Sequence, residues 1–146
     1  MLEPIQFIRK AIITRLTNNV VINGVTFGVY NRVPSSASFP YILVYSISSD
    51  ETDFNQTSYI TETITRIEVV TRFQSDSGGE LTANQAINRI LELIRTRSNG
   101  YFDLSADGFN VFTCVKESST YIVDDERDHT YFRGIVEISN KIQQTA

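Results

Sequence analysis

The sequence predicts an α+β domain in which two amphipathic helices pack on one face of a mainly antiparallel sheet, in the order α-β-β-β-α-β-β. Three observations predict it. From Tyr59 to Phe73 the chain alternates with period two and is rich in Thr, Val and Ile, the mark of a strand. Two other segments repeat apolar residues at spacings of three and four, the mark of a helix with one buried face. Short polar turns separate the remaining strand patterns, which favours antiparallel neighbours.

Pro4 suits the first turn of a helix, where its missing N–H would have no partner. Ile5, Ile8, Ile12 and Leu16 then share one face, and Asn18-Asn19 ends the helix. Gly24 opens a short strand running Val25 to Tyr30, and residues 33–38 form a loop. Pro40 sets the entry to a strand from Tyr41 to Ile47, a place where no ladder hydrogen bond is lost. That strand is apolar on both faces, as a central one should be. The acidic stretch Ser48 to Ser58 holds neither Gly nor Pro and reads as a long hairpin tip.

In the next strand Tyr59, Thr61, Thr63, Thr65, Ile67, Val69, Thr71 and Phe73 take one face. Glu62, Arg66, Glu68 and Arg72 take the other. It exceeds the usual strand length of about 5–6 residues, so it is expected to outreach its own domain. Residues 75–79 break the pattern. A second helix follows with the stripe Ala83, Ile87, Ile90 and Ile94, Leu91 alongside, and a stop at Ser98-Asn99-Gly100. Phe109, Val111, Thr113 and Val115 alternate with Asn110, Phe112, Cys114 and Lys116 in one closing strand. Phe132, Val136 and Ile138 alternate with Arg133, Ile135 and Glu137 in the other, with Asp124-Asp125-Glu126 a charged turn between them. The tail from Gln143 is expected to fray.

A hydrophobic fraction of 41% over 146 residues suits one domain, 1–146, with a core that needs no staples. The longest apolar run, Tyr41 to Tyr45, is far too short to cross a bilayer. No basic stretch and apolar block follow Met1, so no signal peptide is expected. A single cysteine, Cys114, excludes an internal disulfide and suits a reducing compartment. Thirteen Lys and Arg against seventeen Asp and Glu leave a net charge of −4, and the basic residues are scattered. Nucleic-acid binders concentrate Lys and Arg to neutralise phosphates, so specific DNA binding is not expected. A mildly negative protein can still stand beside moving DNA without holding it.

Few residues group in a way that supports chemistry. Asp124, Asp125, Glu126, Asp128 and His129 offer ligand types for a divalent metal that activates water, as in a small metal-dependent nuclease or hydrolase. The stronger reading is a solvated turn, because turns recruit Asp for backbone reasons. No second His is present to complete a transition-metal site. Cys114 with His129 as its base would make a nucleophile pair, yet its place between Phe112 and Lys116 fits a small buried hydrophobe better. There is no Gly-x-Ser-x-Gly elbow. Gly78-Gly79 stands where a phosphate loop would, but without the further glycines and Lys. Seven Tyr and nine Phe fall mostly on core-facing strand positions rather than among basic residues that would help them stack on single strands. No catalytic residue, metal or cofactor is therefore expected. An over-long strand, an acidic hairpin and an acidic turn suit a subunit that reaches its neighbours. A hairpin that simply hangs in solvent fits the same residues.

At Val33-Pro34 and Phe39-Pro40-Tyr41-Ile42-Leu43-Val44 the sequence resembles the tail-completion, or tail-terminator, proteins of long-tailed phages. The resemblance continues through the opening helix, the long strand ending near Gly79, the small-and-apolar stripe from Ala83 to Ile94 and the closing alternation from Tyr131 to Ile138. The Ser48 to Ser58 stretch is longer, and the Asp124 to Asp128 turn more acidic, than the usual pattern. The resemblance implies a structural virion protein that forms a hexameric ring. Such a ring caps the tail tube, ends its polymerisation and docks to head-tail connector or neck proteins. It implies assembly in the bacterial host cytoplasm and a place in the tail or neck, with genomic DNA passing through the lumen unbound and no membrane involved. Another head-completion or tail-tube protein is the alternative within the same class. On the ring reading, subunit or tube contacts are expected at Asp50, Glu51, Asp53 and Phe54, and at Asp124, Asp125 and Glu126. Phe54 is the one large ring in a polar tip, the kind of residue that anchors an interface.

Overall fold

A computed structural model describes residues 2–51, 59–74, 77–95 and 103–145. Helix α1, Ile5–Leu16, starts behind Pro4, whose carbonyl accepts from the amides of Phe7 and Ile8 at 3.0 and 3.2 Å. Ile8, Ile12 and Leu16 are fully buried, as their spacing requires. The helix stops at Asn18, whose φ of 63° is a left-handed conformation that Asn tolerates better than most residues.

The segment expected as one strand from Gly24 is instead a small hairpin followed by a separate strand. Strands β1, Val21–Ile22, and β2, Val25–Thr26, pair antiparallel. Asn23 and Gly24 between them both have positive φ, 52° and 80°. That is the geometry of a type I′ turn, which Asn-Gly adopts readily and whose twist matches the flanking strands. Strand β3, Gly28–Tyr30, then lies parallel to β4, Tyr41–Glu51.

Strand β4 pairs antiparallel with β5, Ile60–Gln74, from Tyr41↔Val70 out to Glu51↔Thr61, with an irregularity between Ser46 and Ser48. Ser48 to Glu51 therefore belong to the strand, not to the hairpin tip where the sequence put them. The alternation of β5 is realised. Thr61, Thr63, Thr65, Ile67, Val69 and Thr71 are buried, and Glu62, Arg66 and Glu68 are half-buried on the opposite face.

Helix α2, Leu81–Ile94, follows Gly78, whose φ is 86° and where a Cβ would overlap the Phe73 ring. It buries Ala83, Ala86, Ile87, Ile90, Leu93 and Ile94. The expected stop at Ser98 to Gly100 lies outside the described residues. After a 3₁₀ turn, Ser105–Asp107, come β6, Phe109–Val111, β7, Val115–Asp125, and β8, His129–Gln144. The single strand expected from Phe109 to Lys116 is thus two. Thr113, at the break, accepts Asn140 Nδ2 on its carbonyl at 3.0 Å and the Lys141 amide on its hydroxyl at 2.8 Å. The tail expected to fray is strand as far as Gln144. Beyond it the Thr145 amide bonds to the Gly108 carbonyl at 2.7 Å.

The main sheet has the order β3-β4-β5-β8, with β6 and β7 both along the far side of β8. Every pairing in it is antiparallel except β3 with β4. The architecture is therefore α+β with a mainly antiparallel sheet, as predicted, but with extra strands. Both helices share one core cluster with Ile42, Val44, Ile67, Val69, Val136, Ile138 and Ile142. Each such side chain contributes about 1.5–3 kcal/mol by leaving water. No described helix covers the opposite face of the sheet.

Candidate functional site

On that opposite face, charged side chains neutralise one another across three strands, β5, β8 and β7. Arg66 of β5 donates from Nε and Nη2 to the same Oε1 of Glu137 in β8, at 3.0 and 2.6 Å, and from Nη1 to the Tyr45 hydroxyl of β4 at 3.3 Å. Arg133 of β8 places Nη1 3.0 Å from Glu68 Oε1 of β5 and Nε 3.0 Å from Asp124 Oδ2 of β7. Hydrogen bonding to Glu137 and Tyr45 raises Arg66 above its ordinary pKa. Burial works against the charge of Arg133, but Glu68 and Asp124 outweigh it and the net shift is upward. Both guanidiniums therefore stay charged at every relevant pH. They hold the strands together and transfer no protons.

Toward one end of this face aromatic rings gather. Phe39 lies 5.0 Å from Tyr41 and 5.7 Å from Tyr131, centroid to centroid, and the Arg72 guanidinium carbon sits 4.4 Å above the Phe39 ring. Aromatic rings beside matched charges make a surface suited to protein contact. Sequence reasoning assigned these rings to the core because alternation alone does not say which face a helix covers.

The edges of the sheet are equally open. Strand β7 pairs with β8 and with no other described strand. All its residues are exposed except the half-buried Asp124. Tyr121, Ile122 and Val123 retain 38, 41 and 53% of their surface in water. Folded proteins generally blunt a long apolar edge, because its free N–H and C=O groups recruit other strands. At the other edge, β3 covers β4 only from Tyr41 to Leu43. From Val44 to Glu51 the outer side of β4 has no described strand neighbour, and the Val44 carbonyl takes the Asn31 side-chain amide at 2.9 Å.

No protein-family model matches the chain, and no curated protein matches it in sequence. A solved structure does share its fold. A chain from the virion of a native gene transfer agent (GTA) particle superposes with a TM-score of 0.60, covering 91% of this chain and 93% of that one, at 16% identity. The likeness is one of fold, and it extends over nearly the whole of both chains.

The residues expected at contacts fall at two distant places. Asp50 and Glu51 are exposed at the far end of β4. Asp53 and Phe54 lie outside the described residues. Asp124 and Asp125 belong to β7, not to a turn, which is confined to residues 126–128. Strand alternation sends Asp124 to the open face, where it meets Arg133, while Asp125 accepts from the Thr130 hydroxyl at 2.9 Å. The Glu126 amide donates to the His129 carbonyl at 2.9 Å, closing the turn. Glu51 lies opposite Thr61, which lies opposite Ile142, whereas Asp125 lies opposite Thr130. Along an extended β8 those positions are about 40 Å apart, so the two acidic groups are separate features.

The weighed enzyme sites do not assemble. Among the described residues no three His, Cys, Asp or Glu converge as metal ligands. Cys114 directs Sγ toward the Ile94 carbonyl at 3.8 Å. It adjoins Val115, which lies opposite Ser139, roughly 30 Å of strand from His129. What sequence reasoning missed is the β7 edge. Its signal was present in Thr120-Tyr121-Ile122-Val123, a strand-forming run without Pro or Gly.

Proposed function

We propose that the protein is a structural subunit of a long-tailed phage or phage-like virion, a single tail-terminator-like domain that forms a ring on the tail tube. The ring ends tube polymerisation and joins the tail to the head or neck. The observation that carries this reading is the whole-chain fold likeness to a chain of the GTA virion. The sequence resemblance to tail-terminator proteins points the same way. The open sheet face and the two open edges support it, because a ring needs contact surfaces on two sides of every copy.

On this reading the copies assemble in the host cytoplasm, as a hexamer, and become part of the tail or neck. Partners are the chain itself, the tail-tube protein and head-tail connector proteins. The net charge of −4 lets the genome pass without retention by counterion release. Asp50, Glu51, Asp53 and Phe54 contact a neighbouring copy or the tube, as do Asp124, Asp125 and Glu126. The protein acts by occupying a place and not by catalysis.

Light scattering on the purified protein, alone and mixed with its tail-tube protein, tests the proposal. A closed oligomer in either condition supports it. A strict monomer that ignores tubes removes it. The same fold likeness also admits a different connector or tube component. Tube length separates the two: only a terminator, when omitted, lets tubes grow past their set length.

A further inference from the structure

Strand β7 is the least covered of the long strands described, and the sheet itself indicates what pairs with it. We infer that residues 116–123 of β7 add antiparallel to residues 44–51 of β4 in the next copy, so that the sheet runs on from subunit to subunit. This rests on the ring reading and specifies how its copies join.

Strand direction is the first argument. From β4 to β5 to β8 to β7 every step is antiparallel, so β4 and β7, at the two open edges, run in opposite directions. Copies related by a rotation axis along the sheet keep their strand directions. A β7 edge therefore meets the β4 edge of the next copy antiparallel, with no inversion of either subunit. Pairing of β7 with β7 would instead form a closed two-fold dimer, leave β4 open and build no ring.

The second argument is complementarity. The two open stretches are equal in length. Aligned antiparallel, with Ile47 and Glu117 left unpaired at the irregularity in each strand, Val123 meets Val44, Ile122 meets Tyr45, Thr120 meets Ser48 and Lys116 meets Glu51. The apolar end of β7 thus covers the apolar end of β4, where Ile47 is 42% exposed, and the single cation of this stretch of β7 faces a carboxylate. Backbone hydrogen bonds along such an edge supply affinity, and side-chain pairs set the register. The open stretches are also offset: residues 116–123 lie level with residues 65–71 of β5, residues 44–51 with residues 61–67. A sheet that closes on itself through tilted strands requires a stagger of this kind.

Disulfide trapping tests the pairing in the full chain carrying Cys114→Ser. Thr120→Cys and Ser48→Cys are introduced singly and together, at an exposed and a half-buried position. Protein is oxidised alone and with tail-tube protein, while light scattering reports the oligomer. The expected result is a ladder of cross-linked species in the double variant and none in either single variant. As a second measurement, Lys116→Glu and Glu51→Lys should each raise the concentration needed for assembly at least several-fold, and the combined variant should restore it. A ring seen by scattering without the mixed cross-link and without charge rescue overturns this pairing and leaves the ring reading standing. Cross-linking through Thr120→Cys alone overturns it in favour of β7 on β7. A chain that stays monomeric with and without tubes overturns both readings.

Discussion

Gly134 of β8 faces Ile87 of α2 so closely that a Cβ at position 134 would lie 3.0 Å from Ile87 Cγ1. The same Cβ would lie 3.3 Å from Tyr121 Cε1 on β7. The missing side chain is what lets the Tyr121 ring lie against Gly134, its partner in the β7–β8 ladder. Gly134→Val should destabilise the fold by about 1–3 kcal/mol through overpacking, and Gly134→Ala by less. Thermal unfolding of the two variants checks the order. Equal stability of both with the native chain would show that α2 shifts freely.

Arg66 and Glu137 are coupled across the β5–β8 ladder, with side-chain exposures of 34 and 24%. Partial exposure limits what the pair contributes. A double-mutant cycle with Arg66→Ala and Glu137→Ala should give a coupling of about 0.5–1 kcal/mol, reduced at high salt. Arg66→Lys should recover little of it, since an ammonium cannot reproduce the guanidinium geometry.

Gly24 tests backbone conformation by itself. Its φ is 80°, and a Cβ there would meet nothing within 4 Å. Gly24→Ala should therefore cost about 1 kcal/mol from the left-handed conformation and nothing from clashes. Urea midpoints for Gly24→Ala and Gly24→Asn, which tolerates that region, should differ in favour of Asn.

Tyr121 gives a pH dependence. Burial, then the negative charge of Glu80, raise its hydroxyl above the ordinary value of 10.0. An unfolded chain then loses this proton at lower pH than the folded one, so stability falls with pH where the unfolded state binds fewer protons. The contribution of neutral Tyr121 is fully present below about pH 10 and is lost as pH rises through the folded value. Tyr121→Phe should flatten the fall in stability above pH 10, measured on the monomer by urea titration.

Asp50 and Glu51 separate folding from assembly. Both are exposed, so Asp50→Ser with Glu51→Ser should change the unfolding free energy by no more than about 0.5 kcal/mol per site. Assembly on tail tubes should weaken sharply. Deleting part of residues 52–58 should likewise leave a folded monomer that no longer assembles, and normal assembly of that deletion would place the contacts elsewhere.

Most of the secondary structure was legible, because long periodic segments carry their own signal. The spacing of Ile8, Ile12 and Leu16 gave α1, and the alternation around Thr65 and Ile67 gave β5 and its buried face. Ala83, Ile87, Ile90 and Ile94 gave α2. The misreadings occur where the signal is short or shared. Asn23-Gly24 is a hairpin turn whose strands are too brief to show periodicity. Ser48 to Glu51 are polar, yet pairing with β5 keeps them extended. Asp124 and Asp125 look like a turn until the length of β8 and the Arg133 and Thr130 partners hold them in a strand.

The sequence by itself determined the α+β class, the two helices and the buried face of the long strand, since apolar periodicity must match burial wherever water is excluded. It also determined that Cys114 has no disulfide partner within the chain. Only the tertiary structure decided that β6 and β7 share one side of β8 and that β7 is left uncovered. It alone brought Arg133 between Glu68 and Asp124, and it set Asp124 and Glu51 at opposite ends of the sheet. The physical reason is that strand partners and edges are set by contacts between residues far apart in the chain. A strand carries the same local pattern whether its neighbour is present, absent or supplied by another copy.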